Sequence, residues 1–474
     1  MRRAKIICTI GPATSSERTL ESLIKSGMDV ARLNFSHGTH EDHQTYIKYI
    51  RDQSKKLHKP VAILQDLQGI KIRIGNVQNG SIRLKKGQKV LLKPGNDVTT
   101  EETLFISYPA LLQDVKKGQR VLLDDGLLEL KAIGRKSDSL EATVRGGGVL
   151  TKNKGVNLPD STISLAPFTD KDRDDLVFGI KTGIDAIALS FVLKAEDIET
   201  VKNWLMDKGI SIPVIAKIEK PEALLHIDAI LETADGIMVA RGDLGVEMPS
   251  DEIPLIQKRL IRKANEKRKI VITATQMLES MREHLRPTRA EITDVANAVI
   301  DGTDALMLSA ETSTGKYPLD AVKMMRRIID TTERKGEHSK RISPVFTGKK
   351  SMEDMSSYAV ADSAVRAAEN ADARCIVAFT RSGFTALLVS KCRPAVPVIA
   401  FTPDETVMMR MQCYWGITPL YMRPLSNTDE MIFEVEKKLI DLRLAKKGEM
   451  IVIIASSPLT TYGKTNLMKI HRIG

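Results

Sequence analysis

Ile215-Ala216-Lys217-Ile218-Glu219 and Gly236-Ile237-Met238-Val239-Ala240-Arg241-Gly242-Asp243-Leu244-Gly245 decide how this chain is read. Each is a short apolar β-type run that ends in charge. Side chains on a strand alternate in direction, so Lys217 and Glu219, two residues apart, share a face. The second run passes directly into Asp243. An ammonium beside two carboxylates, on successive strand ends, can share a divalent ion and polarise an anionic, oxygen-rich substrate.

The pattern around this stretch repeats. β-rich runs at residues 5–10, 30–35, 61–64, 186–191, 214–218, 237–240, 270–273 and 305–308 are each followed by an amphipathic helical pattern, except after the third. Eight β/α units are the count of a closed (β/α)8 TIM barrel, which is favoured here over an open sheet. The alternation breaks off near Gln68 and resumes near Thr169. Between them, residues 70–167 hold β-rich runs broken by Gly, Asn and Asp, with no strong helical period. This predicts a small β-barrel domain inserted after the third strand, where loops gather at the catalytic face and the insert can act as a lid. A polar stretch at 337–354 reads as a linker, and a third α/β unit follows. It predicts an open, largely parallel sheet with one antiparallel edge near 467–473. The expected domains are 1–69 with 168–340, 70–167, and 350–474.

Bulk properties narrow the function. At 474 residues the chain exceeds a single core. No run of about 18 apolar residues occurs, and the N-terminus lacks the apolar stretch of a signal peptide. Cys8, Cys375, Cys392 and Cys413 are far apart, as expected of reduced thiols in a cytoplasmic protein. The net charge of +11 is interspersed with acids, and aromatics are only 4%, so a nucleic-acid partner is not expected. Residues 70–167 carry 16 Lys and Arg against 10 Asp and Glu, a balance that attracts polyphosphates or is simply solvated. Gly463-Lys464-Thr465 lacks the earlier glycine of a P-loop, and the run Gly146-Gly147-Gly148 opens no helix.

Further motifs follow in order: Cys8-Thr9-Ile10-Gly11-Pro12-Ala13, Ala31-Arg32-Leu33-Asn34-Phe35-Ser36-His37-Gly38, Lys154-Gly155-Val156-Asn157-Leu158-Pro159, Thr273-Ala274-Thr275-Gln276-Met277-Leu278-Glu279-Ser280-Met281, Arg286-Pro287-Thr288-Arg289-Ala290-Glu291 and Ser309-Ala310-Glu311-Thr312. Together with the opening stretch, they make the chain resemble the pyruvate kinase family over essentially its whole length. The resemblance implies phosphoryl transfer from phosphoenolpyruvate to ADP, giving pyruvate and ATP in glycolysis, by a homotetramer. It implies Mg²⁺ or Mn²⁺ on Glu219 and Asp243. The substrate carboxylate would lie at the N–H groups of Gly242 and Asp243, and Lys217 beside the transferred group and the oxygen that becomes the enolate. Arg32 and Arg73 are forks suited to phosphate oxygens. Thr275 would pass a proton to the enolate along a water chain, or be an ordinary strand-end threonine. By the same resemblance Pro12, His37 and Lys154 contact the nucleotide, with Asp125 near its metal, although a histidine beside glycine also reads as structural.

Two places depart from the family pattern. In potassium-dependent relatives a glutamate stands at Lys71 and a threonine at Leu67, beside the cation region of Asn34, Ser36 and Asp66. A lysine ammonium could take the place of K⁺, so K⁺ is not expected to be required. Thr380-Arg381-Ser382-Gly383-Phe384-Thr385 lies where the family binds a phosphorylated effector. A turn capped by Ser382 is the competing reading. The usual second clamp is replaced by residues 458–465, which leaves fructose bisphosphate in doubt and a sugar or nucleotide monophosphate as suitable. Two rival functions fit the residues less well. A Mg²⁺-dependent aldolase would have no task for the lid, Arg73, Lys217 or Thr275. A non-catalytic sensor or RNA-binding relative would have lost Lys217, Glu219 or Asp243.

Overall fold

Strands covered on both faces read as continuous apolar runs, and eight such runs close into one barrel. The computed structural model describes residues 2–335, 352–457 and 464–474. The barrel strands are Lys5–Thr9, Val30–Asn34, Ala62–Asp66, Ala186–Leu189, Val214–Ile218, Gly236–Ala240, Ile270–Ala274 and Ala305–Leu308. All neighbours are parallel, and the first strand pairs with both the second and the eighth. Val30, Leu64, Ile215, Met238, Ile272 and Met307 form one buried cluster. The other strand face packs under the helices, with Leu33, Ile63, Ile218 and Val239 in a second cluster. Lys217 has the parity of Ile215 and therefore faces the barrel axis, two residues nearer the C-terminal mouth.

The insert leaves after Asp66 and returns before helix Asp170–Thr182. Its strands form a six-stranded sheet (Val156–Asn157, Arg120–Leu123, Leu128–Arg135, Leu140–Gly146, Lys89–Pro94, Thr103–Ile106) and a pair (Ser81–Leu84 with Gly148–Thr151) around a shared apolar core. The glycine run explains the corner between them. A Cβ on Gly147 would lie 2.5 Å from Leu84 O, so only glycine lets the chain cross there. Its role is structural. The two connecting segments run side by side, with Arg73 bridged to Gly155 and Ile74 N–H donating to Lys154 O at 2.9 Å.

The C-terminal unit is a five-stranded sheet in the order Ile417–Tyr421, Val398–Thr402, Cys375–Phe379, Met450–Ala455, Leu467–Arg472, and only the last pairing is antiparallel. Strand Ile417–Tyr421 is absent from the sequence reading. Pro419 sits at its centre, which argues against a strand unless the strand is an edge, as this one is. Cys413 of this unit joins the barrel-interior cluster from below. Beside it Lys391 and Arg393 reach the barrel's buried Asp304 at 2.5 and 2.9 Å. The linker at 337–351 and the loop at 458–463 lie outside the described residues.

Candidate active site

The C-terminal ends of parallel strands are where a barrel exposes its chemistry. Lys217 ends the fifth strand and is only 9% exposed. Its Nζ lies 2.8 Å from Glu219 Oε1 and 3.1 Å from Asp66 Oδ1, and donates to Ser190 Oγ at 2.8 Å. Burial alone would lower the lysine pKa, but the charges of Asp66, Glu219 and Asp243 overcome it and hold the ammonium above its ordinary value. Asp66 turns its other oxygen to Arg32 Nε at 2.6 Å, and Arg32 Nη1 donates to Thr9 Oγ1 at 3.0 Å. The guanidinium is thereby oriented at the mouth. Ser190 and Thr9 were missed from the sequence. Both end or directly follow barrel strands, so the strand-end rule that found Lys217 would have found them.

Glu219 and Asp243 meet from adjacent strands. Glu219 is buried and its Oε2 accepts the N–H of Phe191 at 2.8 Å. Asp243 is exposed, and no hydrogen bond to its carboxylate is present among the described residues. Crowding by protein atoms and the charge of Glu219 raise its carboxyl above the ordinary carboxylate range. Two carboxylates that repel each other beside an open cleft fit a divalent ion. Among the described residues no group of three His, Cys, Asp or Glu stands together in a way that could hold a metal ion by itself.

Thr275 follows the seventh strand with φ +65, and Gln276 follows with φ +54. Left-handed backbone at a β-branched residue is a genuine outlier, costing about 1–3 kcal/mol. The Thr275 hydroxyl donates to Ala274 O and accepts the Gly242 N–H, both at 2.7 Å. The helix Arg241–Glu247 does begin where expected. The Gly242 N–H, however, is occupied by Thr275, because the left-handed turn brings the hydroxyl against the helix start.

Lys71 is half-buried at the insert's root, and no ion pair to it is present among the described residues. Desolvation, then the charges of Arg73, Lys171 and Lys217, lowers its pKa to about 8. Arg73, bridged to Gly155, stands in the same cationic cluster. Asn34 Oδ1 accepts the Ser36 N–H at 3.1 Å, Asp66 is taken by Arg32 and Lys217, and Leu67 is buried with its carbonyl accepting from Ser190 Oγ at 2.7 Å.

The nucleotide candidates gather less tightly. Pro12 is exposed on the turn after the first strand, and His37 is exposed after the second. The His37 pKa is lowered by desolvation and by Lys71, Arg73 and Arg32, which puts it within reach of the same charges. Lys154 pairs with Asp124 at 2.8 Å rather than with Asp125, which is exposed. In the C-terminal unit the cap of helix Phe384–Lys391 is Gly383 at φ +86, not Ser382, because only a left-handed residue closes this turn. Gly383 N–H donates to Thr380 Oγ1 at 2.9 Å, Phe384 N–H to Ser382 Oγ at 3.4 Å, and Thr385 Oγ1 meets Thr465 Oγ1 at 2.6 Å. Arg381 lies half-buried in the same turn.

A (β/α)8 barrel with a buried lysine, a carboxylate pair and oriented arginines at one mouth belongs to the class of barrel enzymes that work on anionic substrates with a divalent ion. The comparisons narrow it. The model of the pyruvate kinase barrel domain matches residues 1–322, and that of the pyruvate kinase alpha/beta domain matches residues 358–471. Pyruvate kinase of Geobacillus stearothermophilus is 46% identical over 475 aligned residues, covering 100% of this chain and 80% of that relative. Pyruvate kinase of Mycobacterium tuberculosis is 43% identical and covers 100% and 99%. A crystal structure of a pyruvate kinase from Cryptosporidium parvum matches with a TM-score of 0.94 at 37% identity, covering 100% of this chain and 96% of that one. The chain belongs to the pyruvate kinase family and is an enzyme of that family, which uses a divalent metal.

Proposed function

We propose that this enzyme transfers the phosphoryl group of phosphoenolpyruvate to ADP, and that it does so without K⁺. The observation that carries the reading is the Lys217 ammonium, buried and aimed by Asp66, Glu219 and Ser190 into the barrel mouth. Arg32, oriented by Asp66, and Arg73 grip phosphoryl oxygens. As the bond from phosphorus to the bridging oxygen breaks and a β-phosphate oxygen of ADP bonds to phosphorus, negative charge collects on the former bridging oxygen. Lys217 faces that charge as an ammonium already held in place by Asp66, Glu219 and Ser190. Glu219 and Asp243 would hold a Mg²⁺ or Mn²⁺, which supplies positive charge to the carboxylate and enolate oxygens. The Thr275 hydroxyl hands a proton to the enolate carbon through water, completing pyruvate. Pro12, His37, Lys154 and Asp125 serve the nucleotide.

Lys71 supports the K⁺ reading: it brings an ammonium to the segment in which Leu67 withholds a side-chain oxygen. A phosphorylated metabolite at Thr380–Thr385 and a homotetramer complete the proposal. The hydroxyls of that turn already have partners, so the effector would have to exchange them. A coupled pyruvate-formation assay with phosphoenolpyruvate, ADP and Mg²⁺ tests the reaction. Lys217→Met should lower kcat by at least about 10²-fold; a variant as fast as the parent would remove Lys217 from the chemistry.

A further inference from the structure

Arg241 closes the sixth barrel strand, and its guanidinium lies buried along the rim toward the seventh. Nε donates to Ala274 O at 3.3 Å, and Nη2 donates to Thr275 O at 2.7 Å and Gln276 O at 3.3 Å. From the other side Nη1 reaches both oxygens of Asp294, at 2.7 and 2.6 Å, on helix Arg289–Asp301. Three consecutive main-chain carbonyls converge on one group because Thr275 and Gln276 are both left-handed. A β-branched residue has no preference for that backbone, so something outside the turn must hold it. A planar fork can bridge three carbonyls and a carboxylate; a lysine point charge cannot. On the far flank the buried Glu311 accepts the Leu278 N–H at 3.0 Å and the Ser309 N–H at 2.6 Å, fixing the end of the same loop.

We propose that Arg241 is a positioning residue: by gripping the carbonyls of Ala274, Thr275 and Gln276 it sets where the Thr275 hydroxyl stands for proton delivery. This rests on the reading of Thr275 as part of the proton path. By microscopic reversibility the same path must remove a proton from bound pyruvate. The methyl C–H bond breaks, its electron pair forms the enolate double bond, and the proton leaves through the hydroxyl and water. A deuteron returns by the same route in D2O.

The test is the exchange of pyruvate methyl protons for deuterium, followed by ¹H NMR with Mg²⁺ and ATP, alongside kcat, KM and melting temperature. Arg241→Gln and Arg241→Lys should each slow exchange by about 10²-fold, the scale of a misplacement near 1 Å. KM for phosphoenolpyruvate should move less than about threefold, because Arg32 and Lys217 are untouched. Asp294→Asn, which loosens the guanidinium without removing it, should slow exchange about tenfold with a near-parental melting temperature. In a Thr275→Val background Arg241→Gln should add nothing, as required of a residue that acts through Thr275. Parental exchange in folded Arg241→Gln and Asp294→Asn would overturn the proposal while leaving Thr275 in the path. Slow exchange in Arg241→Gln with parental exchange in Thr275→Val would overturn both.

Discussion

Lys217 and Asp66 stand on the fifth and third barrel strands, yet their charged groups meet at 3.1 Å across the mouth. Asp66 therefore joins Lys217 to Arg32, and the three act as one unit. Desolvation opposes the charged carboxylate, but Arg32 and Lys217 outweigh it and hold the Asp66 carboxyl below its ordinary range. Its stabilising contribution is present at neutral pH and lost as pH falls below the usual carboxylate range. Asp66→Asn leaves the buried Arg32 without its carboxylate and Lys217 with Glu219 alone, which should cost about 3–5 kcal/mol. Urea denaturation should show the loss, together with a fall in kcat.

Lys71 gives the clearest pH signature. Its folded pKa, about 8, lies below that of an ordinary lysine. In the unliganded protein the ammonium therefore costs stability below the folded value, and that cost is relieved progressively as pH rises from the folded value toward the ordinary lysine range. On the proposed role of Lys71, substrate binding should weaken as the ammonium loses its proton. KM for phosphoenolpyruvate should rise several-fold between about pH 7.5 and 9.5, and Lys71→Arg should flatten the profile because arginine stays charged. Identical profiles would mean that Lys71 does not face the substrate.

The seam between the barrel and the C-terminal unit rests on Asp304, buried between Lys391 and Arg393. Desolvation outweighs the attraction of Asp304 and lowers the Lys391 pKa to about 8. Asp304→Asn strands two cations and should destabilise by about 3–5 kcal/mol, whereas Lys391→Met should cost less because Arg393 still answers the carboxylate. Paired thermal melts of the two variants would show the order.

The insert touches the barrel through Asn157, whose Nδ2 donates to Glu247 Oε1 at 2.9 Å beside the buried Lys220–Glu247 pair at 2.7 Å. Asn157→Asp would set two carboxylates against each other and bias the insert outward. The expected result is a KM for ADP raised several-fold with kcat changed less, read from initial rates. An unchanged KM would mean that this contact does not set the insert's position.

Legibility in the sequence followed the physics of each element. The eight barrel strands were readable because burial on both faces demands unbroken apolar runs, and the Lys217–Glu219 pair because both residues stand at the end of the fifth. Strand Ile417–Tyr421 was hidden by Pro419, tolerated only because the strand is an edge. Arg241 appeared in a motif without a task, since its partners are main-chain oxygens on another strand whose left-handed turn has no compositional mark. The insert's paired strands Ser81–Leu84 and Gly148–Thr151 are far apart in sequence and meet only after Gly147 turns the corner.

We infer that Lys71 stands in the place of a monovalent ion during phosphoryl transfer from phosphoenolpyruvate to ADP. The most direct measurement is pyruvate formation in K⁺-free and K⁺-rich buffer for the parent and for Lys71→Glu. Comparable turnover in the parent, and strong K⁺ stimulation only in Lys71→Glu, is the predicted result. A parent enzyme inactive until K⁺ is added would contradict it.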